Sequence, residues 1–213
     1  MGPSAGETAV LQSVSVASGV GHGVIGADLH IYADGVPIYL IAEHAPTARA
    51  ADPWLRELPS RMLNARFRVV GFTLRRDEVA SLHHWRRSDD PLAVRWLHGP
   101  GGQGKTRLAN QFADEAAIVG WKVIHAIHGP GTVLPLERPQ QDLRLGDASG
   151  ILLIVDHADR WPLTDLTWLL ANKVLRQGVP ARVLLIARER RPGLASVPSS
   201  LAMPWRPTSN SCH

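Results

Sequence analysis

The stretch Ala93-Val-Arg-Trp-Leu-His98-Gly99-Pro-Gly-Gly-Gln-Gly-Lys105-Thr106 decides how the rest of this chain is read. Ala93 to Leu97 is a short apolar run that predicts a β-strand, and it leads directly into a glycine-rich loop. The pattern Gly-x-x-x-x-Gly-Lys-Thr is met at Gly99, Gly104, Lys105 and Thr106, between a predicted strand and a predicted helix. Such a loop is a phosphate cradle. Gly99, Gly101, Gly102 and Gly104 let backbone N–H groups, with those of Gln103 and Arg107, turn inward without Cβ clashes. The helix beginning at Lys105 directs its positive end at the same point. Lys105 is expected to reach the β and γ phosphates of a nucleoside triphosphate, and the Thr106 hydroxyl to ligate Mg²⁺.

Outward from the loop, strand and helix alternate. Lys105 to Val119 predicts a helix with Leu108, Phe112, Ala116 and Val119 on one face, stopped by Gly120. Trp121 to Ile127 predicts a strand, and residues 129–150 a long loop. Ile151-Leu-Leu-Ile-Val155 is wholly apolar, as expected of a strand buried on both faces. Leu163 to Gln177 predicts a helix with Leu166, Leu169, Leu170 and Val174 inward, and Arg182 to Ala187 a further buried strand. Before the loop, Arg76 to Arg87 predicts a helix with Val79, Leu82 and Trp85 as its buried stripe, ended by Ser88-Asp-Asp-Pro91. The alternation predicts an α/β, three-layer P-loop NTPase fold with a parallel sheet and helices on both faces. The pattern stops after Pro192, so the sheet is expected to be incomplete at its C-terminal end, as in a truncated domain.

Residues 1–45 read differently, as short β-branched runs separated by glycine. Val10 to Ala17 alternates, and Asp34-Gly35 between Leu29–Tyr32 and Val36–Ile41 is a hairpin signal, with Pro37 confining the return strand to an edge. The expected organisation is a small β-rich segment over 1–45, a linker over 46–68, the P-loop NTPase core over 69–192, and an irregular, disordered tail over 193–213.

The composition narrows the function classes. With 213 residues, 45% of them apolar, the chain can bury one good core. Cys212 is the only cysteine, which excludes a disulfide framework within the chain and suits a reducing cytoplasm. No apolar run has the length of a membrane span, and no secretory signal pattern is present. The formal charge of +4 comes from scattered arginines, the lysines being Lys105, Lys122 and Lys173 alone. A nucleic-acid footprint would be a dense basic stripe with interleaved aromatics, so nucleic acid is not expected as a partner.

Beyond the loop, three residues carry predicted chemistry. Asp156 ends its buried strand where a carboxylate can orient a magnesium-bound water. Asp159 has two readings, a carboxylate acting on the attacking water or a turn residue before Trp161-Pro162. Arg188 follows the last strand at the C-terminal edge of the sheet, where ligands of α/β folds collect, and is expected to meet the γ-phosphate. His98, His125, His128 and His157 also lie near strand ends, without metal-site spacing.

Phe72-Thr-Leu-Arg75-x-x-Glu78, the P-loop, the strand with Asp156-His-Ala-Asp159, and Val183-Leu-Leu-Ile-Ala-Arg188 occur in the order seen in STAND ATPases. These are signal-transduction relatives of AAA+ proteins that include the NB-ARC and NACHT groups. More narrowly, the chain resembles bacterial ATP-binding proteins that carry tetratricopeptide repeats downstream. The resemblance spans residues 69–188. It implies Lys105 and Thr106 as the Walker A pair, Asp156 as the Walker B aspartate and Arg188 as a sensor arginine. It further implies that Val70, Phe72 and Arg75 lie against the adenine of ATP or ADP, although Leu74 stands where the family usually has glycine. The sensor strand should lie between the other two. The function so implied is a slow, nucleotide-dependent signalling switch with protein partners or further domains. The competing readings are a catalytically idle interaction scaffold and a P-loop small-molecule kinase. Against the kinase, a whole strand separates the P-loop from the Asp156 strand.

Overall fold

The computed structural model describes residues 23–25, 27–28, 37–44, 75–128 and 140–189. The strands are β1 (Gly23–Ile25), β2 (Tyr39–Glu43), β3 (Leu92–His98), β4 (Trp121–His128), β5 (Gln140–Asp142), β6 (Gly150–Val155) and β7 (Ala181–Ala187). The helices are α1 (Arg76–Arg86), α2 (Lys105–Ile118) and α3 (Leu163–Ala171), with 3₁₀ turns at Ala158–Arg160 and Lys173–Arg176. A five-stranded sheet runs in the order β2-β4-β6-β7-β3. Its β4-β6-β7-β3 part is parallel, and β2 joins β4 antiparallel at one end. Every residue of β6 and β7 is buried, as the apolar runs over 151–155 and 183–187 require.

Alternation along the strands builds a core on each face of the sheet. On one face Val123, Leu152, Ile154, Leu184 and Ile186 pack with Leu108, Phe112 and Ala116 of α2 and Leu82 of α1. On the other, Ile124, Ile151, Leu153, Val155, Val183 and Leu185 pack with Leu166 and Leu169 of α3, Trp161 and Tyr39. This is the three-layer α/β arrangement of a P-loop NTPase-like fold. The expected stripe of α1 holds, with Leu82 buried and Val79 and Trp85 partly buried beside it.

Several elements differ from the sequence expectation. Val119 falls beyond the end of α2 and is 53% exposed, because Gly120, at φ 81°, turns the chain toward β4 just after it. The helix expected over Leu163–Gln177 ends at Ala171, because Asn172 leaves the helical region at ψ 138°. Its side chain accepts from the Val174 N–H, starting the 3₁₀ turn. The same amide also accepts from the Asp28 N–H at 3.0 Å and donates to the Asp28 carbonyl at 2.7 Å and the Tyr39 hydroxyl at 2.9 Å. A tertiary contact therefore overrides helical periodicity. Within the stretch expected to be a loop, β5 pairs in parallel with β1 as a second, two-stranded sheet. β2, from the N-terminal β-rich segment, extends the main sheet as an edge strand, with Pro37 two residues before it. The remainder of the expected hairpin (29–36), the 10–17 run, residues 45–74 and the tail lie outside the described residues.

Two polar knots lock the layers. Arg182 is fully buried at the start of β7, and its guanidinium donates to the carbonyls of Trp85, Arg86, Ser88 and Asp90 at the C-terminal end of α1. The last carbonyls of a helix are short of intrahelical donors, and a cation is favourable at that end. At the β2 edge, His44 bonds Asp114 of α2 at 2.7 Å and His125 of β4 at 2.9 Å, with the two imidazoles stacked.

Burial, with His44 close by, pushes His125 down to about 4 from its ordinary 6.5, against the opposing pull of Asp114. Between these values the unfolded chain binds the proton that the folded chain refuses, so this residue removes stability as the pH falls from 6.5 to about 4. The slope reaches at most about 1.4 kcal/mol per pH unit. Urea unfolding across that window should show a flatter pH dependence for His125→Gln than for the wild type. Parallel slopes would remove His125 from the acid response.

Candidate functional site

The position of β7 assembles the site. In register, His98 pairs with Ala187 and Val155 with Leu185, so Gly99, Asp156 and Arg188 emerge side by side at the C-terminal edge of the sheet. A cleft of about 360 Å³ opens there, lined by the loop from Gly101 to Arg107, by Asp156 and His157, and by Ile186 to Arg188.

The loop takes its shape from glycine. Gly102 and Gly104 sit at φ 77° and 73°, in the left-handed region, and Gly104 is the N-cap of α2. The Lys105 ammonium curls back under the loop and donates to the carbonyls of Gly99 at 2.6 Å and Pro100 at 2.7 Å. Burial lowers its pKa. Asp156 and Asp159 oppose that shift, while the positive charges of Arg188 and Arg75 add to it. The Arg188 guanidinium is exposed, and its Cζ lies 3.8 Å from where a Cβ on Gly101 would stand.

Thr106 Oγ1 donates to Asp156 Oδ2 at 3.1 Å, joining residues 50 positions apart in sequence. The second oxygen, Asp156 Oδ1, accepts from the His157 N–H at 2.8 Å. His157, at φ 52°, is the only non-glycine residue of positive φ among the described residues, so the turn that presents Asp156 carries backbone strain. Asp159 lies in the 3₁₀ turn behind this corner and does not line the cleft. Its Oδ1 is buried without a hydrogen-bond partner, and its charge is felt at Lys105.

Lys105, Thr106, Asp156 and Arg188 thus converge with Gly101, Gly102, Gln103, Gly104 and Arg107 on one cleft. Gly99 contributes a carbonyl beneath it. Arg75, the N-cap residue of α1, does not line the cleft; its Nη2 donates to the carbonyl of Gln103. Val70 and Phe72 lie outside the described residues. His157, Ile186 and Ala187 line the cleft without any sequence signal beyond their adjacency to Asp156 and Arg188. Among the described residues no group of three or more His, Cys, Asp or Glu side chains is arranged to hold a metal ion. No helix among them is long and apolar enough to cross a membrane.

No family model matches the chain, and no curated protein matches it. Among solved structures it is similar to that of C. elegans PCH-2, at 12% identity and a TM-score of 0.30. The match covers 56% of this chain and 38% of that one, so this chain spans well under two thirds of its neighbour's length.

The loop conformation itself can be tested. A Cβ at Gly104 would meet nothing within 4 Å, so Gly104→Ala is penalised by its φ of 73° alone. The cost expected for the left-handed region is about 1–2 kcal/mol. Gly101 has no such φ and its added Cβ would make only ordinary contact with Arg188. Urea unfolding should therefore show Gly104→Ala destabilised and Gly101→Ala close to wild type. Equal stability of the two variants would contradict this loop geometry.

Proposed function

We propose that this chain binds ATP with Mg²⁺ in the cleft and acts as a signalling switch that hydrolyses the nucleotide slowly. The observation that carries the reading is the Thr106–Asp156 contact at 3.1 Å, beside the Lys105 ammonium at a glycine-shaped helix N-terminus. An ordinary glycine-rich turn has no reason to bring a hydroxyl, a carboxylate and a buried lysine to one point. A hydroxyl and a carboxylate oxygen are hard donors suited to Mg²⁺, which takes one or two protein groups and completes its shell with phosphate oxygens and water. Thr106 would hold the ion and Asp156 would orient its water, while the ion neutralises charge on the phosphates.

The protein's own groups then divide the remaining work. Backbone N–H groups of Gly101 to Arg107 cradle the phosphates, and Lys105 exchanges its loop carbonyls for phosphate oxygens. Arg188, on the neighbouring strand, meets the γ-phosphate and senses its loss. Asp159, behind the cleft with a buried oxygen that lacks a hydrogen-bond partner, contributes its charge at Lys105. The order of these parts along the chain supports assignment to the STAND ATPases, with protein partners or further domains reading the nucleotide state in the cytoplasm.

Titration with a fluorescent ATP analogue tests the assignment. Lys105→Ala should lose about 1.5–3 kcal/mol of binding, the worth of a hydrogen bond to a charged group. Equal affinity for wild type and variant would end the P-loop reading. Asp156→Ala should blunt the magnesium dependence of binding more than it weakens metal-free ADP binding; an unchanged magnesium response would make Asp156 structural. Phosphate release should run well below ~1 s⁻¹, the low end of ordinary enzyme turnover. A faster rate abolished by Lys105→Ala would replace the switch with an ordinary ATPase.

A further inference from the structure

We infer that Arg75 is a positioning residue for the phosphate cradle, acting from behind the loop through the Gln103 carbonyl. The inference rests on the nucleotide-binding reading above and assigns Arg75 a role different from contact with the base.

The argument begins with the peptide bond. Because it is planar and trans, the carbonyl of Gln103 and the N–H of Gly104 point in opposite directions. Arg75 Nη2 holds that carbonyl, and Arg75 does not line the cleft that Gly101 to Arg107 form. The carbonyl is therefore drawn out of the cleft, and the Gly104 N–H is turned into it. Gly104 follows this peptide and Gly102 precedes Gln103, both at left-handed φ. Glycine permits that conformation but does not enforce it, since it populates either sign of φ with similar ease. An external tether on the intervening carbonyl supplies the missing restraint, and the guanidinium, with its charge-assisted donors, is a strong one.

The tether is itself anchored. Arg75 caps α1, whose first turn is closed by the Val79 N–H to the Arg75 carbonyl at 3.1 Å. Further along, His83 of α1 bonds Glu115 of α2 at 2.6 Å and packs edge-on against Phe112. The far end of α1 is bound by Arg182. A helix fixed at its middle and far end thus presents its first residue to the loop at a set height. Arg75 also raises the positive potential at Lys105, which favours an anion there.

The experiment compares wild type, Arg75→Met and Arg75→Lys by calorimetric titration with ADP, inorganic pyrophosphate and adenosine, alongside thermal melts without ligand. Arg75→Met should weaken ADP and pyrophosphate by the same factor, about tenfold for one misdirected donor to a charged group. Adenosine affinity should not change, and Arg75→Lys should recover part of the loss. The Gly104 amide resonance should lose its shift on pyrophosphate addition in Arg75→Met. A loss confined to ADP, with pyrophosphate unaffected, would put Arg75 on the nucleoside and overturn the inference, as would three unchanged affinities. If Arg75→Met melts early, Arg75→Lys carries the test, and equal losses for all three ligands would make the role merely structural. Wild type that binds neither ADP nor pyrophosphate would instead overturn the nucleotide reading on which the inference rests.

Discussion

The parallel pairing of β7 with β3 on one side and β6 on the other is the constraint on which the site depends. Each of the three strands ends in a residue of the cleft or feeds the loop that forms it, and none of those residues is near the others in sequence. A slip of one strand by a single residue would turn its side chains to the opposite face and bury charge in an apolar layer. The register is therefore held by burial: Val183 and Leu185 face one core, Leu184 and Ile186 the other. With both faces of β7 committed, the chain has one way to emerge at Arg188, and that way leads onto the P-loop.

The opposite end of the sheet is fixed by polar contacts instead. Arg182 begins the same strand that Arg188 follows, so one strand carries an arginine at each end with contrasting surroundings. Arg182 is surrounded by carbonyls and enclosed, while Arg188 is exposed beside Gly101. The guanidinium serves the first place because its fork of donors can satisfy several carbonyls at once. Trp121 lies beneath it, 5.9 Å from the Arg182 guanidinium, and Arg86 stacks on the same ring at 5.4 Å. Gly150 makes room for that indole: a Cβ there would stand 2.8 Å from it. That end of the sheet is thus a stack of arginine and tryptophan set against the C-terminal end of α1.

Much of this was legible in the sequence. The apolar runs of 151–155 and 183–187, the Gly-Lys-Thr turn and the amphipathic spacing of α1 and α2 are local signals, each decided by residues close together in the chain. The placement of β7 between β3 and β6 followed from the family resemblance alone. What the pattern could not carry were contacts that join distant segments. Asn172 breaks a periodic helix because Asp28 and Tyr39 claim its amide, and nothing within the helix announces that. Gln140 to Asp142 looks polar and irregular, yet its backbone finds a partner in β1. The Arg75 tether is hidden for the same reason: its acceptor is a backbone carbonyl, which has no letter in the sequence.

Charge gives the last step. Burial, and then the positive charges of Arg188 and Arg75, push Lys105 toward its neutral form, with Asp156 and Asp159 as partial compensation. A fold gains nothing in stability from gathering like charges around a cleft, so local energetics here run against packing. Natural sequences break such rules at functional sites. A polyanion in the cleft would relieve that repulsion and compete with the Gly99 and Pro100 carbonyls for Lys105. Any ligand that binds only the folded chain also stabilises it. The left-handed His157 beside Asp156 adds strain at the corner nearest the arriving charge. The cleft is the region whose free energy a phosphate would change most, and it is connected through Arg75 to a helix on the far side of the loop.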